Sequence, residues 1–552
     1  MKDNKIIYFC LFFLVICWLY IWGKCANPFQ VSCFSYPGWG DHLQSYSGWI
    51  SYAKEQNLPL FSRSFSSWTW PITSELVFAD TIPVLSIILK PIYNLLQLDF
   101  HYFSVVSFIN IFATFFCGLI IGNFFKLQIR LSSLLGLLLA LSPVALIRIP
   151  GHESLSLHFF IVYPMTLLIT KSLNRFKWSV LIFISLGIHA YYMPMILLLM
   201  LANSFSRITN LHISRLTKSR EIFIDFLIAI FSIFLGLKFF GYLGNTFIPN
   251  KNDDLWSANL LSLIDPQDTS IVFDRLSILR PYQWEGYSYL GILFITLLTI
   301  SSIIIIRKSL DYRSFITTHL HYFIILALFL FIALGSPIYL GDKSISNNPI
   351  LIDQLFINTF RATGRFMWPI YYSLIISSYV ILAKSINFRP RLINVFSISI
   401  LLFMIESHFF TIYNLRTQMN YHFNEGYIFN KGIYNDKISH LIRDNDYFIN
   451  ATGIPYYLSP SIPPLMPQSV NPSIKSNYFP RFARENKMFN YFFSQNSCDI
   501  LNNIYNQKDE NTLANSLILI DDSEVEMCDN FVFNKRLDLP NERFSIYSIT
   551  SK

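Results

Sequence analysis

Long, almost uncharged apolar runs alternate along this chain with short polar stretches, and the apolar positions follow neither helical nor strand spacing. Runs of about 20 residues match a hydrocarbon layer about 30 Å thick. Lipid offers no partner to a backbone amide, so such runs must cross it as helices. Eleven spans fit, at roughly 6–22, 100–125, 131–147, 155–170, 178–189, 191–205, 222–241, 287–306, 318–335, 365–383 and 392–410. Residues 178–205 read either as one tilted span or as two short ones hinged at His189-Ala-Tyr-Tyr-Met-Pro194. Charge favours the hinge. It puts Lys126/Arg130, Lys171/Arg175/Lys177, Arg207/Arg215/Lys218/Arg220, Arg307/Lys308/Arg313 and Lys384/Arg389/Arg391 all on the cytoplasmic side. Pro194 gives a reason for a break there, because proline removes a backbone donor and crowds the preceding turn.

The opposite side then collects residues 23–99, the Arg148-Ile-Pro-Gly-His-Glu153 corner, residues 242–286, residues 336–364 and the tail from about 411. The tail gains Asn, Asp, Pro and Tyr, and short apolar runs such as Tyr447-Phe-Ile-Asn450 and Ser516-Leu-Ile-Leu-Ile520 alternate with polar stretches. The expected architecture is an α-helical polytopic membrane domain over 1–410 with an outer loop at 23–99. A small extracytoplasmic soluble α/β domain follows over 411–552. Composition agrees: hydrophobic residues make up 53% and charged residues 14%, against about 25% charged in a soluble protein. The net charge of +8 does not point to nucleic acid, because the cations sit in short loops between spans. Gly23-Lys-Cys-Ala26 offers no small-x-small cleavage site after the first run, which reads as an uncleaved anchor. Cys25, Cys33, Cys498 and Cys528 all fall on the outer side, where an oxidising compartment permits the pairs Cys25–Cys33 and Cys498–Cys528. This is the pattern of a multi-pass membrane protein whose tail lies outside the cytoplasm.

The candidate chemistry also lies on the outer side. Trp39-Gly-Asp-His-Leu-Gln-Ser-Tyr-Ser-Gly48 opens an outer amphipathic helix with Asp41, His42 and Gln44. A carboxylate there suits a general base on an acceptor hydroxyl, or a plain helix cap. Trp39, Tyr46 and Trp49 read as an interface belt. Asp80, in Phe78-Ala-Asp-Thr-Ile-Pro83, supplies a second acid that could meet the first around a metal or a sugar, or cap the next segment. Arg148, His152 and Glu153 form a polar corner. His158 follows His152 by six positions rather than four, so the metalloprotease spacing is absent. Lys238 lies inside an apolar run, facing either the protein interior or a head group. Asp265 and Glu285 flank an outer loop whose aromatics and carboxylates suit sugars, and equally an ordinary membrane boundary. Arg361-Ala-Thr-Gly-Arg365 places two guanidiniums around a small turn at the mouth of a helix, and arginine grips phosphate oxygens in a fork.

Together, Gly40-Asp-His-Leu-Gln44, Phe78-Ala-Asp-Thr-Ile-Pro83, Gly151-His-Glu153, Asp265-Pro-Gln267, Glu285-Gly-Tyr287 and Arg361-Ala-Thr-Gly-Arg365 resemble an uncharacterised family of bacterial multi-pass membrane proteins. That family in turn resembles the GT-C superfamily of integral membrane glycosyltransferases. The resemblance covers residues 38–370 and implies an essential acid in the first outer loop, which would be Asp41. It also implies a sugar donor on polyprenyl phosphate and a glycan, lipid or protein acceptor on the outer face. The Asp-x-Asp pair of some GT-C branches is absent, which counts against metal dependence, although a divalent metal ion is left open as a cofactor. Arg361, Arg365 and Lys238 would hold the lipid phosphate. The rival expectations are a transporter or lipid-linked-sugar flippase and a non-catalytic envelope assembly protein, and fold-level likeness separates none of these.

Overall fold

A computed structural model describes residues 2–33, 40–55, 62–65, 74–172, 174–210, 215–243, 256–276, 283–308, 312–346, 360, 362–387 and 389–420, and short stretches of the tail between 447 and 551. The described chain is mostly helical. Six helical stretches are long and apolar enough to cross a membrane: Asn4–Ala26, Phe103–Phe124, Ile129–Leu146, Ser219–Phe240, Thr363–Ile386 and Pro390–Met419. The apolar helices between them are shorter. The chain has the make-up of a membrane protein, and many large apolar side chains of these helices point outward, as lipid contact demands.

In chain order the helices are α1 (Lys2–Trp22), α2 (Gly40–Lys54), α3 (Pro83–Leu96), α4 (Phe103–Phe124), α5 (Ile129–Ala140), α6 (Pro143–Leu146), α7 (Phe159–Ile169), α8 (Arg175–Ile188), α9 (Tyr192–Asn210), α10 (Arg215–Phe240), α11 (Ile292–Lys308), α12 (Tyr312–Leu334), α13 (Met367–Ile386), α14 (Pro390–Phe403) and α15 (Phe410–Asn420). Three features depart from the apolar runs. The third run is interrupted after Ala140, because Pro143 has no amide to continue the ladder and instead starts the short α6. Residues 189–191 separate α8 from α9, and Pro194 sits in the first turn of α9, where its missing donor costs nothing. The last run does not stop at 410. A π-helical turn, Met404–Phe409, joins α14 to α15, so the helix passes through the expected domain boundary and reaches Asn420.

Contacts define two ends of the bundle. At one end the 23–33 segment, closed by a Cys25–Cys33 disulfide, meets the start of α4, where the His101 amide donates to the Pro28 carbonyl at 2.9 Å. Helices α4 and α5 then form a tight antiparallel pair, with Gly118 of one against Gly136 of the other. At the opposite end their connection is tied to the end of α13. Asn387 Oδ1 accepts from the Gln128 amide at 3.0 Å and Asn387 Nδ2 donates to the Lys126 carbonyl at 2.9 Å.

Short elements decorate the disulfide end: strands β1 (Ser64–Phe65) and β2 (Ser74–Glu75), paired antiparallel, and β3 (Ile338–Leu340) with β4 (Lys343–Ser346). Helix α2 packs on α3 there. Tyr46 and Trp49 are buried in that contact, with Trp49 Nε1 donating to the Phe100 carbonyl at 2.7 Å. They are core residues and not the interface belt expected of them. The tail contributes β5 (Tyr447–Asn450), β6 (Lys475–Ser476), β7 (Ser516–Asp521), β8 (Phe531–Asp538) and β9 (Phe544–Ser551), in a sheet of order β6-β5-β7-β9-β8. Within it β5 runs parallel to β6 and β7, and β9 antiparallel to β7 and β8. The two apolar runs singled out in the tail are β5 and β7, side by side.

Candidate functional site

Two polar groups meet at one corner of the chain. After α6 the backbone turns through Arg148-Ile-Pro-Gly-His152, and the His152 amide closes the turn on the Arg148 carbonyl at 3.1 Å. Gly151 makes the bend with a backbone φ of 101°, a region that side chains disfavour. The corner sends Arg148 to one group and His152 to the other.

Arg148 reaches Glu285, which sits in a 3-10 turn, Gln283–Gly286. Nη1 donates to Glu285 Oε2 at 2.9 Å, and Nη2 donates to the Glu285 carbonyl at 3.2 Å. Arg365 approaches the same carboxylate from the turn that starts α13, with Nε to Oε2 at 2.9 Å and Nη2 to Oε1 at 2.8 Å. All three side chains are buried. The two turns can touch because Gly286 and Gly364 lack side chains: a Cβ on Gly364 would stand 2.8 Å from the Gly286 amide nitrogen. Aromatic faces cover the cations. Arg148 lies 4.9 Å over Trp284 and 5.4 Å over Trp368, and Arg365 lies 4.5 Å over Tyr191. These contacts suit guanidiniums withdrawn from water. Burial alone would raise the Glu285 carboxyl, but the guanidiniums of Arg365 and Arg148 outweigh it and hold the group well below the usual carboxylate range. The trio keeps one surplus positive charge.

His152 reaches Asp80. Its Nδ1 lies 3.5 Å from Asp80 Oδ2, and Ser154 Oγ donates to Oδ1 at 3.3 Å. Asp80 adopts a left-handed φ of 53° in the turn before α3, and its carbonyl accepts from Ser45 Oγ of α2 at 3.0 Å. Gly48 seats α2 against the same turn, since a Cβ there would stand 2.9 Å from that of Ala79. Asp80 is buried, whereas the His152 side chain is 19% exposed and forms the more open face of the pair. A carboxylate that orients an imidazole is a proton-handling arrangement. Position 41 stands one turn before Ser45 on the same helix. The side chains of Asp41, His42 and Gln44 lie outside the described residues, as do Arg361 and Cys498.

The other candidates are placed as follows. Glu153 is buried in a 3-10 turn, Glu153–Ser156. Asp265 is buried, and its Oδ1 accepts from the amides of Gln267 and Leu276 at 3.4 and 2.9 Å. It holds a loop through that oxygen, and Glu285 holds two arginines. The Arg365 fork is likewise closed on Glu285 rather than open to a phosphate. Lys238 is exposed in the last turn of α10, where its carbonyl accepts from Arg63 Nη1 at 2.5 Å, so it faces outward and not into the bundle. Cys528 is disulfide-bonded. Among the described residues no group of three or more His, Cys, Asp or Glu side chains could hold a metal ion. Sequence reasoning passed over Ser45, Ser154 and Tyr191. Only Ser45 carries a signal, its spacing of four from Asp41.

A family profile described as Domain of unknown function (DUF6311) matches residues 9–405. No curated protein matches the chain.

Proposed function

The chain belongs to the DUF6311 family, and we propose that it works as a GT-C-type glycosyltransferase, moving a sugar from a polyprenyl-phosphate carrier to a glycan, lipid or protein acceptor at the outer face of the bacterial inner membrane. In this reading the bundle crosses eleven times and the tail, with its mixed sheet, forms an extracytoplasmic α/β domain. One observation carries the proposal: acids, a histidine and a surplus of positive charge gather at a single end of an apolar bundle, beside the helix that bears Asp41. Asp41 takes or orients the proton of the acceptor hydroxyl, with Asp80 and His152 behind it. The leaving group is the lipid phosphate, whose negative charge grows as the glycosidic bond breaks. Fixed cations near that point stabilise the transition state more than the ground state. Because Arg365 and Arg148 are tied to Glu285, they act as a preset positive field, and direct contact with phosphate falls to Arg361. A lipid-linked donor removes any need for a nucleotide site.

The experiment compares envelope glycans and lipid-linked sugars by mass spectrometry in three strains: wild type, a deletion and Asp41→Asn. The expected result is a product lost on deletion and reduced by about 100-fold or more in Asp41→Asn, the scale of a removed general base. A deletion phenotype with normal product in Asp41→Asn ends the catalytic reading. The flippase alternative draws on the interrupted helices, such as the break at 189–191. It predicts instead that deletion leaves the lipid-linked sugar intact but confined to the inner leaflet.

A further inference from the structure

We infer that the crevice where the starts of α8 and α10 meet the second half of α9 binds an anionic phospholipid head group bearing hydroxyls, of the phosphoglycerol class. A hydroxyl of that group sits between Trp178 and Asn203, and its phosphate lies at the rim beside Arg175. The inference needs only that Ser219–Phe240 crosses the membrane, and it is independent of the enzymatic proposal.

Paired charges frame the crevice. Asn174 caps α8 by accepting from the Lys177 amide at 3.1 Å, and Arg175 follows in the first turn. Arg175 Nε donates to Asp225 Oδ1 of α10 at 2.6 Å, and Nη2 donates to the Glu221 carboxylate one turn earlier. Ser204 Oγ of α9 donates to the second oxygen of Asp225 at 2.6 Å. Three helices are tied together in this way, and both acids have their donors. Among the described residues Arg175 Nη1 has no acceptor, and the side chain is 30% exposed.

Two buried side chains that line the same crevice, Trp178 and Asn203, carry polar atoms with no partner among the described residues. Asn203 Nδ2 donates to the Ser172 carbonyl at 3.0 Å, but Asn203 Oδ1 has no donor. Trp178 Nε1 has no acceptor. Asn203 and Trp178 are only 1% and 2% exposed, and an unpaired polar atom is costly at such burial. One atom needs a donor and the other an acceptor. A single hydroxyl is both. The crevice is narrow, so only the polar tip of a ligand enters and the rest stays at the rim.

The surroundings identify what carries that hydroxyl. Lys171, Lys177 and Arg220 are exposed, and each is next in sequence to a residue of the cluster, Ser172, Trp178 or Glu221. With Arg175 they set four cations against two carboxylates, so an anion is favoured at the rim. Phe176 of α8 and Phe223, Phe226 and Leu227 of α10 are exposed too. Phe226 and Leu227 directly follow Asp225, and Phe231 and Phe234 continue the outward apolar face along the span. Basic pockets between membrane helices hold anionic head groups, and here the acyl chains would run along that apolar face. A soluble ligand would account for the anion and the hydroxyl but not for the apolar flank.

The test is native mass spectrometry of the full chain in detergent, titrated with phosphatidylglycerol, phosphatidylmethanol or phosphatidylcholine of identical acyl chains. Phosphatidylmethanol carries the same negative charge as phosphatidylglycerol but no hydroxyl. The tightest site is expected to prefer phosphatidylglycerol over phosphatidylmethanol by about tenfold, the scale of two buried hydrogen bonds, with phosphatidylcholine weakest. Trp178→Phe keeps an aromatic ring and removes the N–H, so it should cut that preference by about threefold. Equal affinity for phosphatidylglycerol and phosphatidylmethanol overturns the inference, and this wild-type comparison does not depend on the variant folding. A preference unchanged in folded Trp178→Phe overturns it as well, by placing the lipid elsewhere. So does displacement of bound phosphatidylglycerol by an equal concentration of sn-glycerol 3-phosphate, which would assign the crevice to a soluble ligand.

Discussion

Glu285 is the residue on which the charged corner depends. Its carboxylate balances two buried guanidiniums, and the three contacts to its oxygens, at 2.8–2.9 Å, are those of charge-assisted hydrogen bonds. Removing the charge leaves both cations buried and repelling one another, so Glu285→Gln is expected to lower unfolding stability in detergent by about 3–5 kcal/mol. Solvent screening reduces this little, because all three side chains are almost fully enclosed. The pH dependence follows from the direction of the shift. A carboxyl held below its unfolded value stabilises the fold fully above an unfolded pKa of about 4.3, and that contribution is lost only as pH falls through the lower folded value. The stability gap between wild type and Glu285→Gln should therefore stay constant from neutral pH through mild acid and shrink only in strong acid. Thermal melts of both proteins across that range measure it. A gap that closes as pH falls toward 5 would show that the carboxylate is not held as described. The partners themselves were not legible in the sequence, because Arg148, Glu285 and Arg365 come from three distant segments. Residue type alone suggested sugar and phosphate contacts for groups that the fold uses to neutralise each other.

Elements are set by simpler rules, and these the sequence shows more openly. The break between α8 and α9 follows from charge on either side and a proline nearby, and it appears at 189–191. Runs without internal charge became helices, while the short apolar runs of the tail became adjacent strands. The continuation to Asn420 was hidden because Glu406, His408, Asn414 and Arg416 break the apolar pattern while the backbone stays helical. Close helix approach is also written in small residues. Between α4 and α5, a Cβ on Gly118 would stand 2.4 Å from the Gly136 Cα, and one on Gly136 would stand 2.7 Å from the Phe115 carbonyl oxygen. Both obstacles are backbone, which cannot rotate away. Gly118→Val should force the pair apart and cost about 1–3 kcal/mol, the range for overpacking. Its melting temperature in detergent should fall accordingly, and an unchanged value would mean that the helices can separate freely.

At the scale of the whole molecule, charge and redox chemistry give two independent expectations for the orientation proposed above, and the two coincide. The first is charge. The Lys126 connection is bonded to Asn387, so Lys126 and Arg130 share one end with Lys384, Arg389 and Arg391, and clustered cations of this kind face the cytoplasm. The second is redox chemistry. The Cys25–Cys33 disulfide lies at the other end, and such bonds persist in oxidising compartments. Arg416 packs on Gly23 and Asn414 bonds to the 256–276 loop, so the end of the last helix belongs to the disulfide side. The candidate corner does too, because α4 leaves that side and α5 returns to it at Arg148. Single cysteines at Lys126 and Asp342 test the arrangement in intact cells with a membrane-impermeant maleimide. Asp342 lies at the disulfide end, next to the Gly341 carbonyl that accepts from Asn259 Nδ2 at 2.7 Å, while Asn259 Nδ2 also reaches Gln283 beside Glu285. Labelling is expected at 342 and, only after permeabilisation, at 126. The reverse pattern would put Asp80, His152 and the arginine pair on the cytoplasmic side. A sugar carried on lipid phosphate would then have no outer acceptor to meet there, and the disulfide would be left in a reducing compartment with no physical reason to persist.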